Sequence, residues 1–309
     1  MEKELLKIAN TLLLYSYHIE NPGLLNGRMG IVLYLYQYAR YAGRKYYCDF
    51  ADDLLDKVLD SVNHSSPDFE SGISGIGWGV NYLIKNKYVE GDVNDVLFDI
   101  DKRVFYQLSC DPSASLLGQG IYLLERLPDN ESNEEFDKYI NQLLDFCYKG
   151  ISGYKGTTSL YHLNSILYFL EKISVKKNCE AEVDQIMRLL PHVLKKIHRY
   201  KLYDKVDHYI FHRFQINLSP QLKKYWKDVS LLNSDETVGN LDIASTIKLW
   251  NLENLYFGIS TIKEMSFTDI FSFVKQKQES LEKTDFILYK GLAGLGSVLL
   301  TISKNDTVN

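Results

Sequence analysis

Four times along this chain two glycines stand three residues apart and open an apolar run: Gly27-Arg28-Met29-Gly30, Gly72-Ile73-Ser74-Gly75, Gly153-Tyr154-Lys155-Gly156 and Gly291-Leu292-Ala293-Gly294. The runs they open are Ile31–Leu35, Ile76–Val80, Leu160–Leu170 and Leu295–Leu300. Gly118-Gln119-Gly120 before Ile121 reads as a shortened copy, and Gly239 before Ile243–Ile247 as an eroded one. The steps of 45 and 46 residues (27 to 72, 72 to 118) match one helical hairpin, and recurrence at such a period marks a repeat architecture. Glycine suits a place where a loop turns sharply, or presses on a neighbour, before a helix begins.

Between the glycine motifs the pattern is amphipathic and helical. Leu5, Ile8, Leu12 and Tyr15 form one stripe, Phe50, Leu54, Val58 and Val62 another, and Tyr139, Leu143 and Phe146 a third. Strand-like alternation is nearly absent, and no Asn-Gly or Asp-Gly turn joins two alternating runs. The glycine-led segments are apolar all round, as helices surrounded by protein are. An all-α fold is therefore expected, with apolar helices inside and amphipathic ones outside: an α/α toroid of six or seven hairpins forming one domain over 1–309. From Thr157 to Val238 glycine disappears, and His192–Lys227 carries nine Lys/Arg against two Asp. That stretch reads as a hairpin whose motif has been lost, or as an insertion at the rim. Its charge reads first as a solvated face, and otherwise as a landing place for an acidic peptide or phosphate.

The 309 residues can bury a sizeable core. A net charge of −5 gives no overall pull toward nucleic acid or an anionic membrane. Tyrosine (23) and phenylalanine (14) are abundant, and tyrosine suits the wall of a peptide or sugar groove. Cys48, Cys110, Cys147 and Cys179 are scattered and form no CxxC, which fits reduced structural thiols and a cytoplasmic location. Met1–Glu20 does not resemble a signal peptide, and no segment approaches the roughly 20 apolar residues of a membrane span. Phosphate-loop, nucleophile-elbow, HExxH and dinucleotide motifs are absent.

Asp68-Phe69-Glu70-Ser71-Gly72-Ile73-Ser74-Gly75-Ile76-Gly77 resembles the Asp-x-x-x-Gly-Leu-x-Gly-Ile repeat of the lanthionine synthetase C-like family, the cyclases of lantibiotic biosynthesis and their relatives. Gly27-Arg28-Met29-Gly30-Ile31 and Lys290-Gly291-Leu292-Ala293-Gly294 resemble the family's first and last repeats. The resemblance implies an α/α toroid and, in the cyclases, a zinc ion held by two cysteines and a histidine. That zinc lowers the pKa of a substrate thiol for addition to a dehydrated residue. Where the family carries its ligands this chain reads Glu236-Thr237-Val238-Gly239 and Tyr289-Lys290-Gly291, and Ser152 precedes Gly153 where the acid/base histidine is expected. Only the aspartate, Asp68, matches. The resemblance thus implies a member without the zinc chemistry: no metal, no cofactor and no confident catalytic residue, acting on a peptide or protein partner in peptide modification, maturation or export.

Arg28, Glu70, Lys155 and Lys290 sit in or beside the glycine turns, and in a toroid such turns gather at one mouth. With Asp68 and Asp242 they form the candidate binding set. Asp68 reads first as a helix cap, and stays in the set as the family's one matching active-site position. A carbohydrate-active hydrolase on the same scaffold is the alternative, needing two facing carboxylates, with Glu70, Glu125 and Asp242 as further acids near predicted inner helices. Asp204, His208 and His212 stand four apart and raise a metal site, but read first as solvated side chains among lysines. His162, within an apolar run, reads as a core histidine.

Overall fold

A computed structural model describes residues 1–110, 116–127, 134–152, 158–174, 179–226, 241–262 and 264–306. Among the described residues the chain is helical, with short 3-10 turns and no strand. The helices gather into two compact units, Met1–Asp101 with Leu241–Asn309, and Lys102–Asn240. The division falls within α5 (Val93–Cys110).

The first unit contains α1 (Glu2–Tyr15), α2 (Arg28–Ala42), α3 (Lys45–Asp60), α4 (Ile73–Lys85), α12 (Ile243–Phe257), α13 (Phe267–Ser280) and α14 (Leu292–Asp306). The contrast between apolar and striped helices holds. Met29 to Tyr36 of α2 are all buried, and so are Leu292 to Leu300 of α14. In α3 only Tyr47, Ala51, Leu54, Leu55 and Val58 are buried, and in α13 only Ile270 and Val274. α14 packs against α1, α2 and α12, so the last helix closes on the first elements of the chain. Burying such faces supplies the dominant driving force, about 25 cal/mol for each Å² of apolar surface.

The second unit holds α6 (Leu116–Arg126), α7 (Glu134–Ser152), α8 (Leu160–Ile173), α9 (Glu180–Tyr200), α10 (Lys205–Asn217) and the short α11 (Pro220–Lys223). α8 lies against α6 and α10, and α7 against α6 and α9. The glycine-free stretch contains α8, α9 and α10, with α10 packed on α8 and α9 on α7. Side-chain caps, and not glycine turns, start two helices of this stretch, α8 and α10. Ser159 caps α8 through the His162 N–H, and Asp204 and Asp207 form a reciprocal capping box at α10.

Three local expectations give way to the structure. His162 is exposed, because it falls in the first turn of α8, where its Nδ1 lies 3.0 Å from the Ser159 hydroxyl. His208 is buried against the Tyr203 ring instead of solvated, since α10 turns that face inward. Asp204 caps α10, its Oδ1 accepting from the Asp207 N–H at 2.9 Å. Gly118 lies inside α6 and not in a turn ahead of it, and a Cβ at Gly120 would meet the Phe169 ring at an ordinary 3.4 Å.

Candidate functional site

Three of the four glycine pairs fall among the described residues, all in the first unit, and their turns lie side by side. Two places before the leading glycine stand Leu25, Glu70 and Tyr289. The Leu25 N–H donates to the Glu70 carbonyl at 2.9 Å, and the Tyr289 N–H donates to the Leu25 carbonyl at 3.0 Å. Equivalent residues of three repeats are thus joined backbone to backbone, in register. Asn251 of α12 continues the row, donating from Nδ2 to the Leu288 carbonyl at 3.0 Å.

The glycines are there for close approach. A Cβ on Gly72 would land on the Ser66 carbonyl, and one on Gly75 on the Phe69 carbonyl, in each case the residue six places back. The same offset recurs at Gly27 on Asn21, Gly30 on Leu24, Gly291 on Asp285 and Gly294 on Leu288. The loop folds tightly over the helix it precedes, so its carbonyls reach the first helical N–H groups. Arg28 N–H donates to Asn21 at 2.9 Å and Ile73 N–H to Ser66 at 2.7 Å. Donors that a side-chain cap would otherwise satisfy are satisfied by the turn itself.

Beside these turns α2, α4, α12 and α14 line a cavity of about 370 Å³. The repeats contribute in phase. Leu24, Phe69 and Leu288, three before the leading glycines, form one end. Leu33, Trp78 and Ser297 stand six after them, and Gln37, Tyr82 and Thr301 ten after, one helical turn further on. α12 adds Trp250, Asn251 and Asn254. Trp78 stacks on Tyr82, with centroids 5.6 Å apart and planes at 15°, and meets Phe69 edge-on at 6.2 Å. The wall carries no Asp or Glu among the described residues. Its one charged side chain there is Lys304, exposed near the end of α14. The Trp250 indole N–H is buried and finds no acceptor.

Of the residues singled out in the sequence, Arg28, Asp68, Glu70 and Lys290 are brought to this cluster of turns. Arg28 opens α2 and reaches the Tyr17 carbonyl at 3.3 Å through Nη2. Asp68 is fully engaged in its own loop: Oδ1 accepts from the Ser71 N–H at 2.6 Å and Oδ2 from the Ser66 hydroxyl. Glu70 contributes its carbonyl to the row of turns. Lys290 is exposed, with Nζ 5.3 Å from the Tyr289 ring centre. Asp242 caps α12, accepting from the Ser245 N–H at 2.7 Å, so a side chain there replaces the glycine turn. Lys155 and Gly239 lie outside the described residues. The cavity wall was missed by sequence reasoning. Its signal is the constant offset of six and ten residues from each leading glycine.

The family's zinc does not fit this donor set. At the described turn the positions hold Tyr289 and Lys290, neither of which supplies a thiolate or imidazole. Cys48 and Cys147 lie within the helices α3 and α7 and not in the described glycine turns. Burial pushes the Cys147 thiol up to about 12, so it is protonated at neutral pH, whereas zinc binds thiolate. Burial, then the Asp52 and Asp49 charges, also raise Cys48. Among the described residues no three His, Cys, Asp or Glu side chains are grouped to hold a metal ion. No described helix is long and apolar enough to cross a membrane.

No curated protein and no solved structure matches this chain. The model of the family described as lanthionine synthetase C-like protein matches residues 18–204, more than half of the chain. That span takes in the turns at 27 and 72, and the turn at 291 is tied to them through the Leu25–Tyr289 hydrogen bond. The all-α architecture and the match agree: the chain belongs to the lanthionine synthetase C-like family, whose fold is the α/α toroid.

Proposed function

We propose that this chain is a zinc-less member of its family that binds a peptide or protein partner, as an accessory in peptide modification, maturation or export. The observation that carries the reading is the aromatic-walled cavity beside the glycine turns, at which the thiolate and imidazole donors of the cyclases are missing. Amide side chains interleaved with stacked rings suit a peptide, whose own amides both donate and accept. The glycosidase alternative needs two carboxylates roughly 5–10 Å apart, and the described wall contains none.

Two of the three tryptophans, Trp78 and Trp250, line the cavity, so intrinsic fluorescence reports on its occupancy. Titration with short unstructured peptides should shift the emission saturably, and Trp78→Ala should weaken binding about tenfold, within the usual range for removing an aromatic anchor. An emission spectrum indifferent to every peptide would overturn the binding reading. Protein purified without added metal should contain zinc well below one equivalent; a stoichiometric ion would overturn the zinc-less reading.

A further inference from the structure

The polar side chains of the cavity wall spend donors on the chain itself and leave acceptors over. Asn251 Nδ2 donates to the Ile247 and Leu288 carbonyls, both at 3.0 Å, which uses both its protons. Asn254 Nδ2 donates to the Trp250 carbonyl at 2.8 Å, and Gln37 Nε2 to the Tyr82 hydroxyl at 3.4 Å. The Ser297 and Thr301 hydroxyls donate to the Ala293 and Ser297 carbonyls of their own helix, each at 3.0 Å. Asn251 is 8% exposed and lines the cavity, and among the described residues nothing donates to its Oδ1. Fastening α12 to the turn before α14 accounts for the Asn251 nitrogen; it leaves the oxygen without a task.

That oxygen stands at the closed end. The bond to Leu288 sets Asn251 beside the apolar floor of Leu24, Phe69 and Leu288, which are 2%, 5% and 7% exposed, whereas Gly258 and Lys304 at the ends of α12 and α14 are exposed. At about 370 Å³ the cavity lies near the small end of ligand sites, so a main-chain amide could reach Asn251 only by drawing both flanking residues in with it. An apolar side chain with a donor at its tip reaches it alone. Ammonium and guanidinium tips are disfavoured: the described wall contains no Asp or Glu, and a cation buried without a countercharge is costly. Lys304, the wall's lysine, is already engaged within the chain and supplies no free charge for an acid. An indole is larger and carries its N–H on the flank of the ring. A neutral phenol has a ring for the aromatic wall and, at its tip, a hydroxyl that needs a partner when buried. We infer that the cavity takes the side chain of a tyrosine presented by the peptide partner, its ring against Phe69 and Trp78 and its hydroxyl donating to Asn251 Oδ1. This rests on the peptide-binding reading and names the residue recognised.

The test uses the full chain, with tryptophan emission excited beyond tyrosine absorption, and acetyl-Gly-X-Gly-amide in which X is tyrosine, phenylalanine or O-methyltyrosine. The tyrosine peptide should bind about three- to tenfold more tightly than the phenylalanine one, the usual margin for one hydrogen bond. O-methyltyrosine, which cannot donate, should gain nothing over phenylalanine. The preference should not change with salt, since no ion pair carries it. In Asn251→Leu the tyrosine and phenylalanine peptides should bind equally, whereas Asn254→Leu, nearer the end of α12, should keep the preference. Circular dichroism melting checks that Asn251→Leu is folded; if it is not, O-methyltyrosine on the parent protein decides alone. Equal affinity of the tyrosine and phenylalanine peptides, a preference kept by O-methyltyrosine, or one that survives in folded Asn251→Leu overturns this inference while leaving peptide binding standing. Binding of p-cresol as tight as that of the tyrosine peptide would also overturn it, by assigning the site to a free phenol. Binding of none of the three peptides overturns this inference, and the peptide-binding reading falls with it only if the wider peptide titration is silent too.

Discussion

At the scale of single residues the glycines divide into those the fold requires and those it tolerates. Gly75 lies so close to the Phe69 carbonyl that any Cβ displaces backbone, and the same holds at Gly72 over Ser66. Gly150 sits within α7 with nothing within 4 Å of an added Cβ. Gly75→Ala should therefore lose about 3 kcal/mol, at the upper end of overpacking costs, whereas Gly150→Ala should gain up to about 1 kcal/mol from helix propensity. Urea unfolding of the two variants checks both signs. Equal effects would show that the close approach at the turn is not what selects glycine. The pairs were readable in the sequence as punctuation. Which atoms they press upon was not, because each target carbonyl lies six residues back in a loop without regular periodicity.

At the scale of elements, the turn before α14 is fastened by one carboxylate. Asp285 accepts from Lys277 of α13 at 2.5 Å, from the Ser280 hydroxyl at 2.6 Å and from the Glu282 N–H at 2.9 Å. Burial by itself would raise this carboxyl. The hydrogen bonds from Lys277, Ser280 and Glu282, with the lysine charge, outweigh it and hold the group below the ordinary carboxylate range. A depressed carboxyl contributes stability that is complete above its unfolded pKa, about 3.9, and is lost as pH falls through the lower folded value. Asp285→Asn should cost about 2–3 kcal/mol at neutral pH, since it leaves the buried donors poorly matched. The gap from the parent should stay constant down to about pH 4 and then close. Denaturation midpoints measured across that range decide the matter; a gap unchanged at low pH would mean that the carboxylate's charge is not the fastening. The helices themselves were legible from periodicity. Their capped starts at Ser159, Asp204 and Asp242 were not read from the sequence, and His162 and His208 were misread, because register, not residue type, decides which side of a helix faces in.

At the scale of the whole molecule, the first unit is built from both ends of the chain. Leu292, Leu295, Val298, Leu299 and Leu300 are buried, and α14 supplies that face to α1, α2 and α12. Deletion of residues 290–309 should therefore remove the cooperative melting transition of this unit and expose apolar surface that binds a hydrophobic dye. A truncated protein that still melts sharply, without dye binding, would refute this account. The repeat arithmetic points the same way: the last copy of the glycine motif matters because it pairs with the first.

The sequence by itself determined the helical class and the family, because each depends on residue type and spacing along the chain. The tertiary structure alone decided that three distant turns share one row of backbone hydrogen bonds, that Asp68 and Asp242 serve as local anchors, and that Trp78, Tyr82, Trp250 and Lys304 line one cavity. The physical reason is that a helix's periodicity fixes which of its residues share a face. Which neighbour that face meets is set by packing between segments more than 200 residues apart, such as Leu25 and Tyr289.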